Sequence, residues 1–246
     1  MTNHRFERPL LLLTMMSLSF ACGPKQDPER PRARDPEAGT PGGDKRPAPR
    51  SDDDVQIGGL MGTIDAAAVE KAFEGKMNQV RSCRQSHGGG LGYVSGTVQF
   101  FFVIGTDGIP TRVTLEKSEL GQHELEACLL GIARGLKFVK PTGGKAEVRY
   151  SMDLPAEGDQ PKTWEPSKVK RAMSSRAKEI AACRVGGKPD SFTVTFYVLP
   201  QGKAQTAGVA SAQDLPEGFA ACVAKVILGT TFPDPLGEVA RVSYEF

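Results

Sequence analysis

Cysteines are the residues of this chain whose spacing could support chemistry, because pairs of them can form disulfides, bind metals or react as thiols. Four cysteines belong to a set of landmarks that occurs twice, at offsets of 100 or 94 residues: Cys83 and Cys183, Cys128 and Cys222, Phe138 and Phe232, and Tyr150 and Tyr244. A fixed offset through cysteines and aromatic residues indicates one structural unit used twice. The sequence therefore predicts two equivalent disulfides, Cys83–Cys128 and Cys183–Cys222.

Other chemistry finds little support in the sequence. Cys83 and His87 have the spacing of half a zinc site, but the second unit keeps both cysteines and has no histidine. A C-x-x-C motif is absent, and His87 to Gly90 is not followed by the G-x-S-x-G of an esterase. We therefore expect no catalytic residue, cofactor, metal or small-molecule substrate. An envelope enzyme, or a thiol or metal protein that uses the cysteine pairs, remains the alternative.

The amino-terminal residues have the pattern of an export signal. Arg5 and Arg8 precede an apolar run, Pro9 to Ala21, which is short for a membrane-spanning helix. The run ends in Ala21-Cys22 and resembles a bacterial lipoprotein signal, which implies that Cys22 carries lipid after cleavage. An ordinary cleaved signal is the alternative. In either case the chain is exported, and an oxidising compartment is where disulfides persist.

A segment rich in proline and charge follows Cys22. Residues 22–54 contain seven prolines and almost no large apolar side chain, so they predict a disordered tether. The formal net charge of the whole chain is +2, and its basic residues alternate with acidic ones, which argues against a nucleic-acid partner.

Each unit is predicted to fold as helix, strand, strand, helix, strand. Apolar residues at helical spacing run from Val69 to Cys83, with Asp65 as the N-cap, and a hairpin follows around Thr106 to Gly108. The fold class is thus α+β, with two helices on a three-stranded antiparallel sheet in each unit. The predicted divisions are signal peptide 1–21, tether 22–54, first unit 55–155, linker 156–166 and second unit 167–246. Trp164, in the linker, is expected to pack across the joint between the units.

The order of these motifs resembles the AgmX/PglI carboxy-terminal domain, whose fold is similar to that of the TonB carboxy-terminal domain. The resemblance covers about 64–154 and, more loosely, 165–246. It rests on the cysteines, an F-x-x-P step and a closing V-x-Y strand in each unit: Cys83, Cys128, Phe138, Pro141 and Tyr150, and Cys183, Cys222, Phe232, Pro235 and Tyr244. The second unit departs from the pattern in its Gln201-Gly202 turn and in Ala220, which stands where the first unit has Glu126.

The resemblance implies a cell-envelope protein that faces the periplasm and takes part in an envelope-spanning or motility-related assembly. Small sheets of this kind bind extended partner peptides along an exposed edge. We therefore expect envelope proteins as partners, with the closing strand of each unit as the edge, around Arg149 and Ser243. The membrane contact would be the lipid on Cys22, with the outer membrane favoured.

Overall fold

The computed structural model describes residues 55–58 and 62–246. The described residues belong to one compact body, which contains both units and every helix, strand and disulfide given below. The predicted signal peptide, Cys22 and the tether of residues 22–54 lie outside the described residues, so their predictions stay untested.

The first unit combines three helices with a four-stranded antiparallel sheet. Its elements are β1 (Val55–Gly58), α1 (Ala66–Glu74), α2 (Met77–His87), β2 (Gly96–Ile104), β3 (Pro110–Ser118), α3 (His123–Arg134) and β4 (Ala146–Leu154). The strand order across the sheet is β1-β4-β2-β3. Asp65 caps α1 as predicted, since its carboxylate accepts a hydrogen bond from Ala67 N–H at 3.1 Å. The predicted first helix is divided into α1 and α2 at Gly75, a poor helix former.

The second unit repeats this arrangement with two helices. Its elements are β5 (Lys162–Trp164), α4 (Lys170–Ala182), β6 (Thr193–Val198), β7 (Ala204–Ala210), α5 (Phe219–Leu228) and β8 (Ala240–Glu245), with short 3₁₀ turns at Pro166–Lys168 and Pro200–Gly202. The strand order is β5-β8-β6-β7, and β5 runs parallel to β8 while the other pairs are antiparallel.

The prediction of three-stranded sheets is wrong, because each sheet gains a fourth strand at the same edge. β1 adds antiparallel to β4, and β5 adds parallel to β8. The outer edge of each closing strand carries backbone donors and acceptors that an added strand can pair. Lys162–Trp164 lies in the segment predicted as a linker, yet it joins the sheet of the second unit.

The two disulfides hold the helices of each unit together. Cys83 in α2 is bonded to Cys128 in α3, and Cys183 at the end of α4 is bonded to Cys222 in α5. The Cα atoms of both pairs are 5.8 Å apart. Both predicted pairings are confirmed. Each bond joins the helix before the hairpin, α2 or α4, to the helix after it, α3 or α5.

A glycine in each hairpin binds the aromatic residue that follows α3 in the first unit and α5 in the second. Phe138 N–H donates to Gly108 C=O at 2.9 Å, and Phe232 N–H donates to Gly202 C=O at 2.8 Å. Both glycines have positive φ, 83° and 73°, and a Cβ on either would collide with the carbonyl of that same aromatic residue. The two turns differ in sequence but keep this contact, so the second unit preserves the architecture of the first.

Candidate interaction edges and the joint between the units

Two of the four sheet edges meet in the joint between the units. Ser211 N–H, just after β7, donates to Leu115 C=O in β3 at 2.8 Å. Thr206 Oγ1 in β7 donates to Gly121 C=O at 3.0 Å. The edges of β3 and β7 therefore face each other at Leu115 and Ser211, while Glu116 to Ser118 and Ala210 to Ala212 line a cavity of about 620 Å³.

A buried carboxyl group lies at the centre of this joint. Glu126, in the first turn of α3, is 3% exposed. Its Oε1 accepts from Ser118 Oγ at 2.6 Å, and its Oε2 accepts from Val209 N–H in β7 at 2.8 Å. Gly208 lies against the same carboxylate, and a Cβ there would overlap it. Burial raises the pKa of Glu126 above its ordinary value, although the hydrogen bonds to the carboxylate oppose the rise.

Two tyrosines and an arginine close another part of the joint. The Tyr93 hydroxyl donates to Gln205 Oε1, and its ring centroid lies 5.1 Å from that of Tyr197. Tyr197 belongs to β6 but packs into the core of the first unit, where it is fully buried. Arg241 donates to Ser95 C=O at 3.0 Å. Burial is the main reason that the pKa of Tyr93 rises to about 12.

Trp164 does not take part in this joint, contrary to the sequence prediction. It is 6% exposed and belongs to the core of the second unit, with the Lys168 ammonium 5.0 Å from its ring centroid. The reason is β5, which pairs Trp164 with Val242 and so directs it into the sheet of its own unit.

Arg149, predicted at a free edge, lies in the interior of its sheet. β4 has β1 on one side and β2 on the other, and Arg149 pairs with Gln56 and with Phe101. Its guanidinium also binds both carboxylate oxygens of Glu116, at 2.7 and 3.1 Å. The prediction that Arg149 lies at an open partner edge is therefore wrong, because β1 occupies that edge.

Ser243 lies where the added strand of the second unit ends. β5 pairs with Ala240 to Val242, and Pro166 follows Trp164 closely and cannot donate to a continued ladder. Phe246 and Phe192 exchange both backbone hydrogen bonds, at 3.0 and 3.3 Å. Because alternate residues of a strand direct their backbone groups to opposite sides, those of Glu245 face away from β6. The parallel pairing of Trp164 with Val242 uses Ser243 N–H, so among the described residues the outer edge is open from Ser243 C=O to the backbone groups of Glu245.

A groove runs beside this open edge. Its volume is about 440 Å³, and its lining includes Pro166, Ser167, Lys170 and Tyr244. Ser243 and Glu245 are exposed, while Tyr244 is half-buried against the core of the second unit. The groove gives the side chains of an added strand a place to lie.

Comparison with known proteins finds no matching protein family, curated protein or solved structure. The functional argument therefore depends on the geometry of this chain.

The residues considered for catalysis or metal binding are engaged elsewhere. Cys83, considered with His87 as half a zinc site, is bonded to Cys128 and is not a free thiol. Within residues 55–58 and 62–246, no three His, Cys, Asp or Glu side chains are grouped to hold a metal ion. Over the same residues, no helix has the length and apolar character needed to cross a bilayer.

Glu126 is the residue that sequence reasoning missed. An acidic side chain in the first turn of a helix is usually explained by the helix dipole. The available signal was the difference between the two units, because the second has Ala220 at the equivalent position.

Proposed function

We propose that this chain is a non-catalytic lipoprotein of the bacterial cell envelope with two TonB-like units, the second of which binds an extended segment of an envelope protein at the open edge of its closing strand. One observation carries the proposal: the outer edge of the closing strand holds an added strand in both units. The added strand is antiparallel in the first unit and parallel in the second.

The backbone geometry explains why this edge suits an extended partner. β1 and β5 are only four and three residues long, so each covers part of a longer strand. Backbone hydrogen bonds supply affinity in strand addition, and pockets for alternate side chains supply selectivity. The open stretch from Ser243 to Glu245, with its adjoining groove, offers both. The opposite edges, β3 and β7, face each other in the joint.

The proposed location depends on the amino-terminal sequence and the disulfides. Lipid on Cys22 would hold the folded part near a membrane, and the residues up to 54 would act as its tether. Two disulfides suit an oxidising compartment such as the periplasm. An envelope-spanning or motility-related assembly is the setting that the family resemblance suggests.

A proline exchange at Glu245 tests the edge. Glu245→Pro removes the backbone N–H that faces the open side, whereas Glu245→Ala keeps it and is the matched control. A photo-crosslinking residue at Ser167, beside the groove, would report the partner in native cells. We expect adducts with Glu245→Ala and their loss with Glu245→Pro, while both variants retain their disulfides and circular dichroism.

Equal crosslinking in the two folded variants would contradict binding at this edge. A crosslinker at Arg81, on the exposed side of α2, controls for random encounters. Lipidation is tested separately by the mass of the chain purified from membranes, with Cys22→Ser as control. A chain without lipid would refute the anchor but not the edge.

A further inference from the structure

The outward face of the helices of the second unit carries four exposed cations: Lys170, Arg171, Lys178 and Lys225. They come from α4 and α5, whose opposite sides hold Met173 and Ile180, and Val223 and Ile227, in the core. Among the described residues, none of the four cations lies within 4.0 Å of an acidic partner. The only acidic residue of α4, Glu179, pairs with Arg176 at 2.7 Å. We refer to these four cations as the basic face.

The fold itself does not require the basic face. The first unit uses the same helices, and at the positions equivalent to the four cations it has Glu70, Lys71, Asn78 and Gly131. One negative and one positive charge cancel there, whereas all four positions are positive in the second unit. A difference between two copies of one fold indicates a property particular to the second copy.

Two exposed apolar side chains belong to these helices or to the residues that follow them. Val185, just after α4, is 66% exposed, and Leu228, in the last turn of α5, is 44% exposed. Leu228 is three residues after Lys225, so the two lie on the same side of the helix. Cations flanked by apolar side chains are the composition that favours contact with a phospholipid surface.

We propose that the basic face docks on the anionic headgroups of a phospholipid bilayer. Each lysine or arginine near an anionic leaflet strengthens the attachment of a protein to that leaflet. The choice of a bilayer over an acidic protein rests on the lipid anchor in the proposed function. The basic face meets the partner-binding edge only at Lys170, which lines the groove, whereas Arg171, Lys178 and Lys225 do not line it.

Vesicle flotation of residues 49–246 tests this proposal without a lipid anchor. The vesicles contain phosphatidylcholine alone or with about 30% phosphatidylglycerol. The test variant combines Arg171→Ala, Lys178→Ala and Lys225→Ala, which leaves Lys170 at the groove unchanged. The control variant removes three exposed cations of the first unit, with Lys71→Ala, Arg81→Ala and Lys137→Ala.

We expect the wild-type chain and the control variant to bind the anionic vesicles, and about 0.5 M salt to release them. The test variant should bind about 100-fold more weakly, roughly fivefold for each cation. An equal loss of vesicle binding in the two variants would mean a nonspecific charge effect and overturn the proposal. Equally strong binding of the wild-type chain to vesicles without phosphatidylglycerol would also overturn it. Capture by polyglutamate without capture by vesicles would make an acidic protein the partner and also overturn it. Because this chain carries no lipid and the edge is intact, none of these outcomes depends on the partner-binding edge or on lipidation.

Discussion

Replacing Glu126 with glutamine should stabilise the protein at neutral pH and reduce the dependence of its stability on pH. Burial raises the pKa of Glu126 in the folded chain above that of the unfolded chain. The folded state therefore keeps this proton to higher pH than the unfolded state does. As a result, the free energy of unfolding falls as pH rises from the unfolded pKa through the folded pKa. Glutamine cannot ionise, and its amide can still accept from Val209 N–H and donate to Ser118 Oγ.

The matched variant Glu126→Ala should have the opposite effect. It leaves the Ser118 hydroxyl and Val209 N–H buried without their partner, and each unsatisfied group costs about 1–3 kcal/mol. We therefore expect a loss of about 2–6 kcal/mol. Gly208→Ala should cost about 1–3 kcal/mol by overpacking against the carboxylate, and this cost should shrink in the Glu126→Ala background.

Urea unfolding between pH 5 and pH 8 measures these differences. Fluorescence of Trp164, which is buried in the second unit, reports that unit, and far-ultraviolet circular dichroism reports the whole chain. The advantage of glutamine over glutamate should grow with pH. A wild-type chain that becomes more stable than the glutamine variant as pH rises would refute the reasoning. That result would mean that the hydrogen bonds to the carboxylate outweigh the cost of burying its charge.

Two further predictions concern the disulfides and the tyrosines of the joint. Replacing both cysteines of either pair with serine should lower the free energy of unfolding by about 4 kcal/mol in chemical denaturation, because the bonds close loops of 45 and 39 residues. Similar stability of the oxidised protein and the serine variants would contradict this. Tyr93, with a pKa of about 12, should stay largely protonated at pH 11 in the folded chain, whereas the tyrosines of the unfolded chain ionise near pH 10, as followed at about 295 nm. The free energy of unfolding should then fall as pH rises from the unfolded pKa near 10 to the folded pKa of about 12. Ionisation of Tyr93 near pH 10 in the folded chain would contradict its burial in the joint.

The repeated unit was predictable because its signals are local and occur twice. The helical spacing that ends at Cys83 is seen in the structure, where the disulfides join the helices of each unit. The second strand of the hairpin is present in the second unit as β7, whose small residues pack in the core of that unit and against the joint.

The fourth strands and the joint could not be predicted in the same way. A strand of three or four residues, such as β5 or β1, is too short to show a period. Their pairing depends on an edge formed by residues about 80 to 90 positions later in the chain. Glu126 likewise gains its role from Val209, 83 residues away, which sequence spacing alone does not bring close.

Hydrogen exchange at the Glu245 amide tests the central claim most directly. The full chain would be compared alone and in the complex purified from native envelopes, with exchange followed residue by residue. The account predicts that a bound strand slows exchange at Glu245 and leaves the exposed face of α2 unchanged. A complex in which Glu245 exchanges as fast as in the free chain, with protection only elsewhere, would contradict binding by strand addition at this edge.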